Sequence, residues 1–366
     1  MGRPTKQVLI LSTIPEFTLG LLRTAALAGY RPHVASDRAW SRDRYSAHGQ
    51  RRLVLPLESL ETGTPEAIQR INVYVERHGI ELVLAGDTRC TRMLAVHGGA
   101  IRGARTFPMP SLEVFDRLYD KWTFYQHLLA HGIPTPRSRL VASPEEVDGL
   151  DLGYPVMVKP RLGENGKGVR RVDDPDALRR DLEASAQEGT LPPIVQQFIP
   201  GRDIDLDLLA DGGELVCWLV QQREGSGMRF LQDDRVVEMG RAMCRTIGYR
   251  GVGHVDMRID ARTGGVLAIE FNPRFWGSLV FASWQGVNFL EWGASLLGPD
   301  RPRFTPQFGY CPWLGAAPGN VGRWLRSGLG APWVSGAQRR SWSMQLRDPL
   351  PEWRDWAMQF LDRRET

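Results

Sequence analysis

The chain has 366 residues, of which 42% are hydrophobic and 24% charged, and its formal net charge is +4. This composition excludes a disordered, collagen-like or disulfide-stapled protein, and the length allows two or three domains. The chain has no CxxC pair, no run of about 18 apolar residues and no dense basic stripe with interleaved aromatics. We therefore expect a cytoplasmic protein without a membrane span and without a nucleic-acid partner.

The first part of the chain alternates apolar strands with helical patterns. Strands are predicted at residues 8–11, 32–36 and 82–85, and helices at 17–28 and 67–77. Such alternation predicts a parallel sheet. The turn after the first strand lacks the glycines of a GxGxxG fingerprint, so a Rossmann-like domain is favoured over a dinucleotide site.

The rest of the chain changes pattern twice. A helical stretch is predicted at residues 111–135, and residues 137–200 follow the order strand, glycine-rich loop, strand, helix, strand. Beyond them, strands are predicted at 204–210 and 216–222, a helix at 236–246, a hairpin at 253–272 and a helix at 287–297. From residue 299 onward Gly, Pro, Arg and Trp dominate, and Trp313, Trp324, Trp333, Trp342, Trp353 and Trp356 all lie there.

Lysine is rare in this chain. Only 4 of its 46 basic residues are lysines, and three of them, Lys121, Lys159 and Lys167, lie close together in sequence. A compact ammonium and a planar guanidinium differ where a phosphate must be contacted, so a retained lysine is a candidate site residue. Lys159 also ends an apolar strand, which gives its side chain a rigid support.

Three glycines, Gly163, Gly166 and Gly168, follow Lys159 closely. Glycines allow the backbone to approach an anion and to present its N–H groups. The Lys-Ser/Thr ending of a Walker P-loop is absent, and a strand rather than a helix follows. The loop therefore predicts a phosphate site of another kind.

The hairpin at residues 253–272 carries the strongest chemical signal. If Asp260 and Val266 flank its Gly-Gly turn, Asp256 lies opposite Glu270, and Asn272 shares the face of Glu270. Adjacent carboxylates repel each other unless a cation lies between them. Two carboxylates and an amide oxygen form a hard-oxygen set that suits Mg²⁺ or Mn²⁺.

The residues around these acids support a half-buried strand. Ile269 and Phe271 alternate with the polar side chains, which predicts that both face the core. Arg274 follows on a segment stiffened by Pro273, and it is placed to meet the phosphate that the metal holds.

Together these segments resemble the ATP-grasp superfamily, most closely its carbamoyl-phosphate-synthetase-like branch, over roughly residues 115–298. The resemblance implies a mixed α/β and α+β chain with four parts: a Rossmann-like N-terminal domain (1–112), a small ATP-grasp lobe with a linker helix (113–200), a large lobe with the metal site (201–298) and a Trp/Arg-rich C-terminal extension (299–366). It implies ATP bound between two lobes and a carboxylate–amine ligase that forms an acyl phosphate and releases ADP and phosphate. The implied partners are small carboxylate and amine substrates.

The resemblance also implies residue roles. ATP would be bound by Lys121, Lys159, Gly163, Gly166, Gly168, Gln197, Phe198, Ile199 and Asp203. The metal ligands would be Asp256, Glu270 and Asn272, and Arg274 would stabilise the acyl phosphate with help from Arg223. Asp203 stands where relatives usually have Glu. His254 shares the face of Asp256 and is either a structural residue or a proton acceptor.

Two alternatives stay open at this stage. The same site would serve a phosphotransferase, which product analysis distinguishes from a ligase, or a non-catalytic ATP-binding scaffold. In the C-terminal extension Trp353, Trp356 and Phe360 fall on one helical face. That face either packs on the parent domain or forms a homodimer contact.

Overall fold

A computed structural model describes residues 6–187, 189, 192–299, 303–313 and 335–362, with side chains up to residue 358. Trp324, Trp333 and the side chain of Phe360, which the sequence singled out, lie outside this description. Within the described ranges, no helix combines the length and apolar character needed to cross a bilayer.

The N-terminal part is a parallel sheet with helices, as predicted. Its elements are β1 (Gln7–Leu11), α1 (Pro15–Leu27), β2 (Arg31–Ser36), β3 (Arg52–Val54), α2 (Leu57–Thr62), α3 (Pro65–His78), β4 (Ile80–Ala85), α4 (Thr88–His97) and β5 (Arg105–Thr106). The strand order is β3-β2-β1-β4-β5. The order therefore reverses between β1 and β4, and their carboxyl ends form the crevice where open sheets of this kind place ligands.

The predicted single helix at 111–135 is wrong, because the chain breaks at Asp120. Two helices, α5 (Leu112–Tyr119) and α6 (Lys121–Ala130), flank this residue. Asp120 is extended, and its carboxylate accepts hydrogen bonds from the backbone N–H groups of Trp122 (2.8 Å) and Thr123 (3.4 Å). An aspartate in this position caps a helix N-terminus. The cap places Lys121 at the first residue of α6.

A small antiparallel sheet follows. Its elements are β6 (Ser138–Leu140), β7 (Val156–Lys159), β8 (Arg170–Val172), α7 (Pro175–Gln187) and β9 (Ile194–Gln197), with strand order β6-β9-β7-β8. Leu178 and Leu182 of α7 are buried against Val156 and Val158 of β7. The predicted strand, glycine-rich loop, strand, helix and strand correspond to β7 through β9, whereas the short strand β6 was not predicted.

A larger six-stranded sheet carries the acidic hairpin. Its elements are β10 (Gly201–Asp211), β11 (Glu214–Glu224), β12 (Gly227–Leu231), α8 (Asp234–Ile247), β13 (Gly251–Asp260), β14 (Val266–Asn272), α9 (Leu279–Gln285), α10 (Phe289–Ser295) and β15 (Gly309–Cys311). The strand order is β14-β13-β10-β11-β12-β15. The predicted helix at 287–297 is shorter than expected, because Asn288 caps it through the backbone N–H groups of Leu290 and Glu291.

Two helices end the described chain, α11 (Gly336–Arg347) and α12 (Leu350–Asp362). They are tied to the N-terminal domain by Arg23 of α1, which is 1% exposed. Its guanidinium donates to Asp348 Oδ2 (2.8 Å) and to both carboxylate oxygens of Glu352 (2.9 and 3.0 Å). The extension therefore packs on the parent domain, while Trp353 and Trp356 keep 45% and 40% of their surface exposed.

Candidate functional site

The β13–β14 hairpin places Asp256 directly opposite Glu270, as predicted. The register near the turn differs by one residue, since Val266 pairs with Ile259 rather than with Asp260. A bulge at Ile269 restores the predicted pairing at the two acids. Bulges of this kind often lie beside active sites, where they redirect a side chain.

The bulge also corrects one prediction about the core. Ala268 and Phe271, three residues apart, both belong to the hydrophobic core of the large sheet, whereas Ile269 does not. The extra residue shifts the alternation by one position, so that Ile269 leaves the apolar face on which the sequence placed it.

Two of the three predicted metal ligands, Asp256 and Asn272, are joined by a hydrogen bond. Asn272 Nδ2 donates to Asp256 Oδ2 (3.1 Å), and Arg274 Nη2 donates to Asn272 Oδ1 (3.0 Å). Burial raises the pKa of Glu270, and the charge of Asp256 adds to this effect. Burial also acts to raise the pKa of Asp256, but the His254 cation and nearby donors outweigh it and hold that pKa below its ordinary value.

The two predicted lysines approach this group from other elements. Lys121 Nζ lies 3.2 Å from Glu270 Oε1 and donates to the backbone oxygen of Gly163 (2.9 Å). Lys159 is buried at the end of β7. The pKa of Lys159 is lowered to about 8, mainly by burial; Glu270 and Asp256 act to raise this pKa, and the charge of Lys121 acts to lower it. The lysines and the acids therefore share one electrostatic site.

The glycine-rich loop is held beside the lysines. Gly163, Gly166 and Gly168 have φ values of 136°, 68° and 74°, which residues with a β-carbon rarely adopt. The backbone N–H of Lys121 donates to the backbone oxygen of Arg161 (3.1 Å), and the Arg161 side chain pairs with Asp120. The start of α6 thus anchors the loop next to the acidic pair.

Arg274 connects three parts of the molecule and is only 5% exposed. Its Nε donates to Thr88 Oγ1 (3.0 Å), and its Nη1 donates to the backbone oxygen of Phe275 (2.8 Å). Its guanidinium also lies over the ring of Phe17 (4.9 Å). Thr88 follows β4, so Arg274 joins the predicted metal ligand Asn272 to the crevice of the N-terminal sheet.

The predicted adenine linker forms a separate group at the start of β10. Arg258 donates to the backbone oxygens of Ile199 and Gly201, and its guanidinium pairs with Asp203. Phe198 lies beneath the guanidinium of the same arginine, and Gln197 ends β9. The Asp203 side chain is 79% exposed, and its carboxylate is held by Arg258.

Arg223 is not brought to the acidic pair. It is exposed on β11, where it pairs with Met228 of β12. In the part of the chain that the structure describes, Arg223 forms no hydrogen bond or ion pair with the candidate ligands. Its assistance to Arg274 stays a prediction.

The structure gives His254, which the sequence analysis singled out, two acidic partners. His254 lies between Asp207 Oδ1 (2.8 Å from Nδ1) and Asp256 Oδ1 (3.1 Å from Nε2). Burial acts to lower the pKa of His254, but these two carboxylates raise it well above its ordinary value. Carboxylates engage both ring nitrogens, so the structural interpretation of His254 is favoured.

A residue that sequence reasoning missed is Asp205, which lies opposite Asp256 on β10. The pKa of Asp205 is raised to about 7, mainly by burial; His254 acts to lower this pKa, and Asp256 and Asp207 act to raise it. The signal was present in the sequence: Asp203, Asp205 and Asp207 alternate with apolar residues, which places them on one face of a strand.

Comparison with known proteins identifies the domain that carries this site. Residues 118–278 match the family model of the ATP-grasp domain. Residues 118–278 therefore form an ATP-grasp domain, and the predicted two-lobed ATP-grasp fold is confirmed.

Solved structures with the same fold were also found. They include an L-amino acid ligase from Bacillus licheniformis (19% identity, 80% of this chain and 74% of that chain, TM-score 0.60). A second match is the biotin carboxylase domain of 2-oxoglutarate carboxylase from Hydrogenobacter thermophilus, solved in complex with MgADP, ADP and bicarbonate. It has 18% identity, covers 84% of this chain and 74% of that chain, and has a TM-score of 0.63. A third match is N5-carboxyaminoimidazole synthetase from Staphylococcus aureus, complexed with ADP. It has 15% identity, covers 81% of this chain and 79% of that chain, and has a TM-score of 0.63.

Proposed function

We propose that the protein is an ATP-dependent ligase that activates a carboxylate as an acyl phosphate for attack by an amine. The observation that carries this proposal is the position of Lys121, whose ammonium contacts both Glu270 and the glycine-rich loop. A phosphate held by the loop would lie beside the lysines and the acidic pair. The L-amino acid ligase among the structural neighbours supports this class of reaction.

The residues of the acidic pair fit a divalent cation. Asp256 and Glu270 lie opposite each other, Asn272 is hydrogen-bonded beside them, and all three offer oxygen ligands. Mg²⁺ or Mn²⁺ held by these three residues would offset the charge of the ATP phosphates. The neighbour from Hydrogenobacter thermophilus, solved with MgADP, supports a magnesium nucleotide.

The remaining site residues would bind ATP or stabilise the transferred phosphate. The phosphates would be bound by Lys121, Lys159 and the backbone of Gly163, Gly166 and Gly168. The adenine would be bound by Gln197, Phe198 and Ile199, and the ribose by Asp203. Arg274 would stabilise the negative charge that develops as phosphate is transferred to the carboxylate. Closure of the loop would exclude water, which otherwise hydrolyses an acyl phosphate.

A screen for ADP release tests the reaction. Wild-type protein with MgATP is supplied with carboxylates and amines, singly and in pairs, and with hydroxylamine to trap an acyl phosphate as a hydroxamate. We expect a carboxylate to give hydroxamate with hydroxylamine, and an amide only when the amine is also present. Glu238→Gln, at an exposed position of α8, serves as the matched control and should behave as wild type.

The products decide between the proposed reaction and its alternatives. A stable phosphorylated product without any need for an amine would show a phosphotransferase instead. ADP release that no carboxylate stimulates would contradict the ligase proposal.

A further inference from the structure

The glycine-rich loop carries a carboxylate that reaches the catalytic arginine. Glu164 Oε2 lies 3.2 Å from Arg274 Nη2, with 16% of the Glu164 side chain and 5% of the Arg274 side chain exposed. This oxygen is buried and has no hydrogen-bond partner among the described residues. The charge of a shielded carboxylate must be offset, and Arg274 is the group in contact with it.

The two partners differ in how firmly they are held. Arg274 has its Nε and Nη1 fixed by Thr88 and the backbone of Phe275, and its Nη2 also donates to Asn272. Glu164 lies between two residues with positive φ, Gly163 and Asn165, in the loop that must come to rest around a bound phosphate. If the pair separates, the loop therefore moves and the guanidinium stays.

The contact places an anion where the proposed reaction needs one. Arg274 would bind the transferred phosphate or the activated carboxylate, and the carboxylate of Glu164 contacts the same guanidinium. A second anion cannot share Nη2 with Glu164 without strong repulsion in a site so shielded from water.

We propose that Glu164 is an intramolecular competitor that occupies the anion position on Arg274 until the terminal phosphate of ATP displaces it. This inference rests on the proposed function and adds regulation to the same site. Displacement frees the loop from Arg274 at the moment when the nucleotide needs the loop. The site is thus assembled only when a triphosphate is present.

Nucleotide affinities of the magnesium-loaded protein test this inference. Dissociation constants are measured by calorimetry for the non-hydrolysable analogue adenylyl imidodiphosphate and for ADP. We expect Glu164→Gln to bind the analogue about fivefold tighter than wild type, because the competing charge is gone, and to bind ADP with unchanged affinity. Glu183→Gln, an exposed carboxylate-to-amide change on α7 of the same lobe, should leave both constants unchanged.

Two further variants separate competition from a general charge effect. Glu164→Asp keeps the charge but withdraws it from Arg274 by one methylene, so competition predicts tighter analogue binding, whereas a general field effect predicts wild-type affinity. Adding Glu164→Gln to Arg274→Met should change nothing more, since the contested position no longer exists.

The outcomes distinguish this inference from the function on which it rests. If Glu164→Gln binds the analogue with wild-type affinity, Glu164 is not a competitor, and the proposed function is unaffected. If wild type binds neither nucleotide, both the proposed function and the inferred role of Glu164 are wrong.

Discussion

Replacement of Arg274 by lysine is expected to lower the turnover number by about 10²–10³-fold while leaving the affinity for MgADP within about twofold of wild type. Lysine keeps the positive charge but lacks the planar set of donors. It could not donate at once to Thr88, the backbone of Phe275 and Asn272, as the guanidinium does. The ammonium would therefore not be held where charge develops during phosphate transfer.

The measurement is the rate of ADP release with the carboxylate and amine that the screen identifies, together with calorimetry for MgADP. Arg229→Lys is the control, because Arg229 is an exposed arginine that pairs with Glu224 away from the acidic pair. A turnover number for Arg274→Lys within threefold of wild type would remove Arg274 from the proposed reaction.

The second large effect concerns stability rather than activity. Asp348→Ala should cost about 3–5 kcal/mol, because it leaves the buried guanidinium of Arg23 without one of its two acidic partners. Asp348 is fully buried and also accepts hydrogen bonds from Ser46 Oγ (3.0 Å) and the backbone N–H of Ala47 (2.7 Å). Both of these donors would lose their acceptor as well.

Urea unfolding and limited proteolysis check this prediction. We expect a lower midpoint of urea unfolding and faster proteolytic cleavage of the C-terminal helices α11 and α12. Glu113→Ala removes an exposed ion pair with Arg117 and should change stability by less than about 1 kcal/mol. If Asp348→Ala were as stable as this control, the buried ion pair would not hold the C-terminal helices in place.

Local patterns in the sequence predicted much of the fold and the centre of the site. The parallel sheet of the N-terminal domain follows from short apolar strands that alternate with helices. The pairing of Asp256 with Glu270 follows from the turn position and the period of two. Even so, the bulge at Ile269 was not predictable, because no residue type there marks one.

Contacts between distant segments could not be predicted in the same way. Glu164 and Arg274 lie 110 positions apart in the sequence, and Arg23 and Asp348 are 325 positions apart. No periodicity connects such residues, so only the folded chain brings them together. The break at Asp120 was missed for another reason, since aspartate is common both in helical patterns and at helix caps.

The central claim is that Glu270 and its neighbours form a magnesium-dependent ATP site, and thermal unfolding tests it most directly. Wild type and Glu270→Gln are unfolded with millimolar ATP, with and without Mg²⁺, and Glu238→Gln again serves as the control. A ligand at 100 times its Kd that binds only the folded state adds about 2.7 kcal/mol. We predict that ATP stabilises wild type only with Mg²⁺ and does not stabilise Glu270→Gln. Wild-type protein whose unfolding temperature does not respond to ATP and Mg²⁺ would contradict the account.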